Sequence, residues 1–206
     1  MNESETIPYP GTETENEPRP ETLEEEAGRR LLVSFDRLTR LDLALLRILR
    51  TRGHARPIEV VVLRYSRWGE HAALWHALAA LGALLDRRLR TTYLRATLII
   101  TLTQAANFVA KTLIRRARPL LEDLPPLSPT ISGLSTPSAH ASTSAAAASA
   151  LSDALPRLPV YFAAAVMAVS RPYIGVHFPS DTAAGVALGL LVARAVRRGH
   201  ARREGR

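Results

Sequence analysis

The segment SRPYIGVHFPSD, residues 170–181, gathers three side chains that can act together on an anionic substrate. Arg171 offers a planar fork of N–H donors, which suits the oxygens of a bound oxyanion. His177 follows six residues later, and Asp181 comes four residues after it, where a carboxylate can orient an imidazole. The segment predicts an anion clamp, a possible nucleophile and its orienting acid in one place. The alternative is a structural role for both residues: a hydrogen-bonded histidine near the membrane interface, and an aspartate at a helix N-terminus whose charge complements the helix dipole.

Two prolines in this segment indicate a junction between helices. Pro172 is expected to end the preceding helix, because proline lacks the backbone N–H that a helix interior needs. Pro179 suits the first turn of the following helix, where that N–H has no partner in any case. Arg171 is therefore expected at the end of one helix, and Asp181 near the start of the next.

A cationic motif, KTLIRRARP, follows a long apolar run at residues 111–119. Lys111 and Arg118 are seven residues apart, about two helical turns, so we expect them to share one face with Arg115 between them. Pro119 disfavours helix at Arg118, so that side chain is expected where the chain leaves the helix. Lys111 is also the only lysine beside 26 arginines. Basic residues at the end of an apolar helix are often plain interface anchors, and the motif alone leaves both interpretations open.

The tetrapeptide PSAH, residues 137–140, adds a further polar group at a helix start. Pro137 is expected to begin the helix and to place Ser138, Ala139 and His140 in its first turn. Unpaired backbone N–H groups and the helix dipole favour a bound anion there. A serine or histidine at this position can equally serve as a helix cap.

Five stretches almost free of charge predict an all-α, multi-pass membrane helical bundle. They are residues 71–85, 96–110, 137–152, 158–170 and 179–192. Each covers about 15 residues, less than the roughly 30 Å hydrocarbon layer requires, although terminal arginines can extend a helix by snorkelling. A soluble helical bundle is the alternative. Because successive helices alternate in direction, the three motifs are expected to meet at one end of the bundle.

The rest of the chain divides by composition into flanking segments. Residues 1–28, rich in Glu, Pro and Thr, predict a disordered acidic tail. Residues 29–70 are predicted to form an amphipathic N-terminal helical region. Three interpretations stay open: a helix that lies flat at a membrane interface, a surface helix that covers a core, or a sixth membrane span with a weak signal. Residues 71–197 are the predicted catalytic bundle, and residues 198–206 a basic C-terminal tail. The apolar positions of the first helix are Phe35, Leu38, Leu41, Leu45 and Leu49.

The charge distribution favours a membrane over a nucleic acid as the partner of this basic chain. The net charge is +8, and residues 1–26 hold nine glutamates against one arginine, so the positive excess belongs to the rest. It falls in clusters at the ends of apolar runs, as expected for ends that stay cytoplasmic. The motif-bearing ends then face the extracytoplasmic side of the cell membrane, with the C-terminus in the cytoplasm. The absence of cysteine excludes disulfides and thiolate chemistry.

The three motifs in this order, KxxxxxxRP, PSxH and SRxxxxxHxxxD, resemble the signature of the type 2 phosphatidic acid phosphatase superfamily, PAP2. This superfamily also includes bacterial acid phosphatases, glucose 6-phosphatase and vanadium haloperoxidases. The similarity extends from about His71 to Val196. Two features depart from the family pattern: Ala139 stands where the motif usually has glycine, and the six spans of membrane members become five clear spans plus a doubtful first.

The resemblance implies a phosphatase that works through a phosphohistidine. In such an enzyme His177 attacks phosphorus, Asp181 orients it, and His140 protonates the leaving oxygen and then activates water. Arg115 and Arg116 rank lower as possible assistants. The groups expected to hold the phosphate are Lys111, Arg118, Arg171, Ser138 and the backbone at Ala139. No metal or other cofactor is expected.

The expected substrate is a lipid phosphate: a polyprenyl phosphate or pyrophosphate, a polyprenyl-phosphosugar, or phosphatidate. A pocket at the level of the headgroups suits such a molecule, because its chains stay in the bilayer. Membrane lipids are the expected surroundings, and nucleic acid is not an expected partner. Two alternatives stay open: a soluble phosphomonoesterase or haloperoxidase of the same superfamily, and a membrane protein that binds lipid phosphates without hydrolysing them.

Overall fold

Seven α-helices make up most of the described chain, which in this computed structural model comprises the backbone of residues 23–204 and the side chains of residues 37–200. The helices are α1 Leu23–Thr51, α2 Arg56–Trp68, α3 Ala73–Leu85, α4 Arg90–Ile114, α5 Ala139–Leu151, α6 Arg157–Tyr173 and α7 Pro179–Glu204, and a 3₁₀ turn covers Glu70–Ala72. The chain divides into two compact units, residues 1–38 and 39–206, and every contact given below lies within the second.

The five apolar stretches predicted as helices correspond to α3 to α7, so the all-α class is confirmed. α1 begins at Leu23, inside the segment predicted as a disordered tail, and residues 1–22 of that tail lie outside the described residues. α7 continues to Glu204 and so takes in most of the predicted basic tail.

Among the described residues, α4 is the one helix long and apolar enough to cross a membrane. At 1.5 Å per residue its 25 residues extend roughly 37 Å, more than the hydrocarbon thickness of a bilayer. Most of its apolar stretch is exposed, including Leu94, Leu98, Phe108 and Leu113. The prediction of five spans stays a prediction.

α5 lies at the centre of the bundle, packed against α4, α6 and α7. Ten of its 13 residues are buried, and nearly all of them are Ala, Ser or Thr. Small side chains let neighbouring helices approach closely. The hydroxyls are satisfied within the bundle, since Ser142 Oγ donates to the Ser138 carbonyl and Ser144 Oγ accepts from Trp75 Nε1.

Two glycines one turn apart on α7 allow its close contact with α5. A Cβ at Gly185 would lie 2.6 Å from the carbonyl oxygen of Ser138, and one at Gly189 would lie 2.0 Å from that of Ser142. Both distances are far below van der Waals contact, so a larger residue requires the helices to separate. This packing places the first turn of α7 beside the first turn of α5.

Part of the predicted apolar stripe of α1 faces outward, and the side chain of Phe35 lies outside the described residues. Leu41 and Leu45 are 62% and 50% exposed, whereas the buried face carries Asp42, Leu46 and Arg50. These three residues are spaced four apart and therefore lie on one face of the helix. Leu46 covers a small core, while Leu41 and Leu45 do not, and whether this helix lies at a membrane interface stays a prediction.

The loop between α4 and α5, residues 115–138, folds back on itself as a hairpin. Ala117 forms an antiparallel bridge with Leu134. The N–H of Ser135 donates to the carbonyl of Arg116 over 2.7 Å. The two legs of the hairpin therefore bring residues from both ends of this long loop next to each other.

The predicted helical stripe of three cations is wrong at its far end. α4 ends at Ile114, because Arg115 adopts a left-handed backbone with φ +54°, which an α-helix cannot continue. Arg118 lies on the first leg of the hairpin, so it shares no helical face with Lys111.

Two helix boundaries also differ from those that the prolines predicted. α6 continues through Pro172 and ends one residue later, because the proline costs the helix only the one bond that its N–H would donate to the carbonyl of Ala168. α5 begins at Ala139 rather than at Pro137, since Ser138 has an extended backbone and is the N-cap residue. Pro179 begins α7, as predicted.

Candidate active site

A pocket of about 510 Å³ brings the predicted motifs together where α4 and α6 end and α5 begins. Segments that are distant in sequence converge there, as the alternation of helix direction predicts. Six of the eight residues predicted to bind or act on phosphate line it: Lys111, Arg118, Ala139, His140, Arg171 and His177.

His177 lines this pocket with only 2% of its surface exposed. Nη1 of Arg118 lies 3.2 Å from Nε2 of the His177 ring. Because a guanidinium only donates hydrogen bonds, Nε2 is the accepting nitrogen and the ring proton belongs on Nδ1. Burial lowers the pKa of His177 to about 3, although the contact with Asp181 acts in the opposite direction. The ring is therefore neutral near pH 7, with its free electron pair on Nε2.

Asp181 is fully buried and holds His177 through the hydroxyl of Ser135. Oδ2 of Asp181 is 3.6 Å from Nδ1 of His177, which is longer than a hydrogen bond. Ser135 Oγ donates to Asp181 Oδ2 and lies 3.3 Å from His177 Nδ1. Since the hydroxyl proton points to the carboxylate, its oxygen can accept the proton of Nδ1. Ser135 therefore bridges the two predicted catalytic residues.

Four donors fix the Asp181 carboxylate, and Ser135 is only one of them. Oδ2 also accepts the N–H of Phe178 at 2.8 Å. Oδ1 accepts from Thr136 Oγ1 and from Nη1 of Arg116, the latter at 3.0 Å. The bond to Phe178 is of the capping-box kind, in which an acidic residue in the first helical turn bonds back to the N–H before the helix. Asp181 thus has a fixed orientation at the start of α7.

Sequence reasoning missed Ser135 and Thr136, and it ranked Arg116 below the other cations. The two hydroxyl residues directly precede PSAH, and Ser-Thr-Pro is typical of a turn, so their only signal was adjacency to the motif. Arg116 does not line the pocket; its guanidinium lies 4.0 Å over the ring of Phe178 and contacts Asp181. Arg115, the other low-ranked cation, does not line the pocket either.

Ser66 on α2 holds two further pocket side chains. Its Oγ accepts a hydrogen bond from Nη1 of Arg171, and its carbonyl lies 3.2 Å from Nε2 of His140. Because a carbonyl only accepts, Nε2 of His140 carries a proton, and Nδ1 is the atom left to exchange one. Lys111 Nζ donates to two carbonyls of the hairpin, at 3.1 and 3.3 Å.

The connection from α2 to α3 packs tightly against the imidazole of His140. A Cβ at Gly69 would lie 2.6 Å from His140 Cδ2 and 2.6 Å from Met167 Sδ. His71 and Ala72, which also line the pocket, have left-handed backbones with φ of +52° and +57°. Such strained conformations in non-glycine residues cluster at functional sites.

Ser138 and Asp181, the other two predicted residues, do not line the pocket. Ser138 is buried, its Oγ has no hydrogen-bond partner among the described residues, and its N–H donates to the Asp181 carbonyl at 3.0 Å. The predicted role of Ser138 in binding phosphate stays a prediction. Asp181 reaches the pocket only through Ser135 and His177.

The pocket wall is strongly cationic. Lys111, Arg118 and Arg171 contribute three positive charges, and Glu70 is the one carboxylate among the lining residues. Burial lowers the pKa of Arg118, but a guanidinium still keeps its charge at neutral pH. Three fixed cations beside a neutral imidazole can neutralise a phosphate monoester and present it to a nitrogen nucleophile.

A second cavity, of about 650 Å³, lies at the opposite end of α4, next to the end of α7. Its lining includes Leu94, Leu98 and Val196 and none of the motif residues. The chemistry therefore belongs to the first pocket.

Comparison with known families decides what kind of protein this pocket belongs to. The model of the PAP2 superfamily matches residues 92–204, which is more than half of the chain. The chain belongs to the PAP2 superfamily. The matched region starts in the first turn of α4 and contains all three motifs, whereas α1, α2 and α3 lie outside it.

Two mycobacterial relatives carry the same name, decaprenylphosphoryl-5-phosphoribose phosphatase. The one from Mycobacterium tuberculosis is 43% identical over 136 residues, which cover 64% of this chain and 74% of the relative. The one from Mycolicibacterium smegmatis is 40% identical over 120 residues, which cover 58% of this chain and 67% of the relative. At this identity the likeness extends well beyond the three motifs.

Two solved PAP2 structures share the fold. LpxE from Aquifex aeolicus superposes with a TM-score of 0.67 at 22% identity, covering 77% of this chain and 95% of that one. The transmembrane PAP2-type phosphatidylglycerolphosphate phosphatase from Bacillus subtilis gives 0.66 at 24% identity, covering 80% and 87%. At such identities these structures support the fold alone.

The predicted family, and with it the prediction of a PAP2-type phosphatase, is confirmed. The fold is that of membrane PAP2 phosphatases, and α4 has the length and composition of a span. The roles of the individual site residues, the number of spans and the sidedness stay predictions.

Proposed function

We propose that this PAP2 phosphatase hydrolyses the phosphate monoester of a lipid-linked phosphosugar, with a polyprenyl-phosphosugar as its preferred substrate. The observation that carries the proposal is the pocket, in which three cations and three imidazoles, those of His71, His140 and His177, line one space. The relatives at 40–43% identity are named for decaprenylphosphoryl-5-phosphoribose, a lipid that carries such a monoester on its sugar. Polyprenyl phosphate, polyprenyl pyrophosphate and phosphatidate are the competing substrates.

The size of the pocket favours a phosphosugar headgroup as its occupant. A volume of about 510 Å³ is typical of small-molecule sites, and it is too small to enclose a chain of many prenyl units. The chain must therefore lie outside, against apolar surface. Phe108 and Ile131 line the pocket and are 70% and 86% exposed, so they offer the start of such a path.

The first chemical step is attack on phosphorus by Nε2 of His177, the ring nitrogen that carries the free electron pair. This nitrogen accepts a hydrogen bond from Arg118. A bound phosphate offers Arg118 a stronger, charged acceptor, so the guanidinium moves onto the phosphate and releases Nε2. In the substrate complex the anionic phosphate favours the cationic form of His140, with a second proton on Nδ1. As the nitrogen–phosphorus bond forms, the bond from phosphorus to the sugar oxygen breaks, and Nδ1 of His140 gives that oxygen its proton.

The second step returns His177 to its starting state. His140, now without its extra proton, takes a proton from a water molecule, and the water oxygen attacks phosphorus. The bond to His177 breaks and inorganic phosphate leaves. During the intermediate the His177 ring is cationic, and the Asp181 carboxylate, connected through Ser135, stabilises that charge.

Three side-chain cations supply the charge neutralisation that this reaction requires. Lys111, Arg118 and Arg171 surround the place where the phosphoryl group transfers. We therefore propose metal-independent turnover, as the sequence predicts.

The proposed orientation places the pocket on the extracytoplasmic side, with the C-terminus in the cytoplasm. The pocket lies at the ends of α4 and α6 and at the starts of α5 and α7. The opposite ends of the same helices carry clustered arginines: Arg87, Arg88, Arg90, Arg95, Arg157, Arg194, Arg197 and Arg198. Cations lie at the pocket end as well, but Lys111, Arg116 and Arg118 there bind groups of the hairpin and the site. The clustered arginines of the opposite ends therefore support a cytoplasmic location for those ends.

A hydrolysis panel with purified protein in detergent tests the substrate proposal. A polyprenyl-phosphoribose 5-phosphate, a polyprenyl phosphate, phosphatidate and water-soluble ribose 5-phosphate are compared by phosphate release, each with a chelator present. We expect the highest kcat/KM for the polyprenyl-phosphosugar, unchanged by the chelator. Equal kcat/KM for ribose 5-phosphate contradicts the lipid requirement and favours the soluble phosphomonoesterase alternative, and loss of activity with chelator contradicts metal independence.

The remaining alternatives have their own readouts. A haloperoxidase would oxidise halide in the presence of vanadate and peroxide, whereas a lipid-binding protein without activity would release no phosphate from any substrate in the panel. Either result contradicts the proposed hydrolysis.

A further inference from the structure

We infer that Asp42, on α1, is a positioning residue for catalysis that acts through Arg116 on the Asp181 carboxylate. The inference rests on the proposed function, because it assumes that Asp181 orients His177 for attack. Asp42 belongs to none of the three motifs, and it lies outside the region matched by the PAP2 family model. The N-terminal helix would thus contribute directly to the active site of this chain.

Asp42 is 2% exposed, and three hydrogen bonds satisfy its carboxylate. Oδ1 accepts the backbone N–H of Ser180 at 2.9 Å. Oδ2 accepts from the Ser180 hydroxyl and from Nη2 of Arg116, the latter at 2.8 Å. A buried carboxylate with this many donors has one orientation, and Ser180 is the residue directly before Asp181.

Arg116 joins the two buried carboxylates with the two ends of one planar fork. Nη2 binds Asp42, while Nη1 lies 3.0 Å from Oδ1 of Asp181 and 2.7 Å from Ser180 Oγ. The guanidinium also stacks 4.0 Å over the ring of Phe178, next to His177 in the chain. Because the fork is rigid, fixing one end on Asp42 fixes the other end on Asp181.

The charges of this cluster also suit the proposed intermediate. Two carboxylates share one guanidinium, so Arg116 does not fully neutralise Asp181. Part of the negative charge of Asp181 stays available to the His177 ring when it becomes cationic. Without the charge of Asp42, Arg116 would pair with Asp181 alone and weaken that stabilisation.

Apolar contacts hold the same region of α1 against the catalytic loop. Leu46, one turn after Asp42, is fully buried and packs with Phe178 and Leu121. Arg50, one turn further, donates to the carbonyl of Pro125 at 2.7 Å. The buried face of α1 therefore contacts both the hairpin and the loop that carries His177.

If Asp42 only anchored α1 to the bundle, removing another anchor of α1 should have the same effect on kcat. The helix offers such a matched control. Arg47 forms a two-pronged ion pair with Asp123 on the hairpin, at 2.9 and 3.1 Å, with both side chains more than half exposed. This pair also ties α1 to the rest of the bundle, but it contacts none of the residues at the site. Asp123→Asn therefore removes an anchor of α1 without touching Arg116 or Asp181.

The test compares Asp42→Asn, Asp123→Asn, Arg116→Lys and the double variant Asp42→Asn/Arg116→Lys with the wild type. Each is purified as monodisperse protein in detergent, and kcat, KM and melting temperature are measured. Neither Asp42 nor Arg116 lines the pocket, so we expect Asp42→Asn to change KM less than about twofold. It should lower kcat about tenfold or more, the loss expected when a hydrogen bond between charged groups is weakened. Asp123→Asn should keep the wild-type kcat.

Arg116→Lys keeps the positive charge, but one ammonium cannot bind both carboxylates, so its kcat should fall to a similar extent. The double variant should be no slower than about the slower single one, because both changes break the same connection. If kcat of the double variant falls by the product of the two single losses, the inference is overturned. A wild-type kcat in Asp42→Asn overturns it as well. If Asp42→Asn gives no folded protein, Arg116→Lys decides alone, and a wild-type kcat there overturns the inference.

His177→Ala separates this inference from the proposed function. If His177→Ala is inactive while Asp42→Asn turns over normally, the hydrolysis mechanism stands and the role of Asp42 is refuted. If His177→Ala is active, the proposed mechanism itself fails.

Discussion

Nη1 of Arg118 donates a hydrogen bond to Nε2 of His177 across 3.2 Å, so the cation that should bind phosphate rests on the nitrogen that should attack it. The side chain reaches this position from the hairpin, where its Nε also donates to the carbonyl of Ser132 at 2.7 Å. This hydrogen bond requires an unprotonated Nε2, so it couples the protonation state of the His177 ring to the position of Arg118.

We predict that Arg118→Lys lowers kcat/KM by about 100-fold to 1,000-fold, because an ammonium cannot contact both the hairpin and a transferring phosphoryl group. Steady-state hydrolysis in detergent measures the loss. Arg115→Lys, three residues earlier and outside the pocket, is the matched control and should keep most of the activity. Equal losses in the two variants would show that Arg118 has no special role.

We predict that the ring of His177 stays neutral, with its proton on Nδ1, from about pH 8 down to about pH 5. Burial lowers its pKa to about 3, so protonation requires a pH well below the usual histidine range near 6.5. Histidine side-chain ¹⁵N spectra of the substrate-free protein, assigned with His177→Asn, measure the titration. A midpoint at or above pH 6.5 would contradict the buried, neutral state.

We predict that Ser135→Ala lowers kcat roughly tenfold or more, since it removes a hydrogen bond to a charged group and the bridge between Asp181 and His177. Ser128→Ala is the control and should behave as wild type, because Ser128 lies in the same loop and its Oγ donates to the neighbouring Pro129 carbonyl. Comparing kcat of the two folded variants is sufficient. An Ser135→Ala variant with unchanged kcat would mean that Asp181 orients the imidazole without the serine.

We predict that Gly189→Ala destabilises the bundle by about 1–3 kcal/mol, because its Cβ would lie 2.0 Å from the Ser142 carbonyl. Gly199→Ala, on the same helix with nothing within 4 Å of the new Cβ, should be neutral or slightly stabilising. Thermal unfolding in detergent compares the two variants. Equal melting temperatures would contradict the close packing of α5 and α7.

The helices and the convergence of the motifs could be predicted from the sequence because each depends on local pattern. Apolar runs without charge predicted the helices α3 to α7. The alternating direction of these helices predicted that Lys111, His140, Arg171 and His177 lie at the same end of the bundle. The boundaries were less predictable. Pro172 is tolerated in a last turn, and the left-handed backbone of Arg115 leaves no mark in the residue type.

The contacts behind the pocket could not be predicted, because they depend on long-range packing. Arg118 reaches His177 only because the hairpin pairs Ala117 with Leu134. Asp42 carried one weak signal: it is the only acidic residue between Asp36 and Glu59 and stands within an otherwise apolar run. Nothing local distinguishes such a residue from a solvent-exposed charge.

The most direct test of the account is to trap the covalent intermediate. Purified protein is mixed with substrate carrying a labelled phosphate monoester and quenched under alkaline denaturing conditions, and peptides are mapped for the label. We predict an acid-labile phosphate on His177, and neither label nor phosphate release in His177→Ala. Label on a different residue, or unimpaired turnover in His177→Ala, would contradict the account.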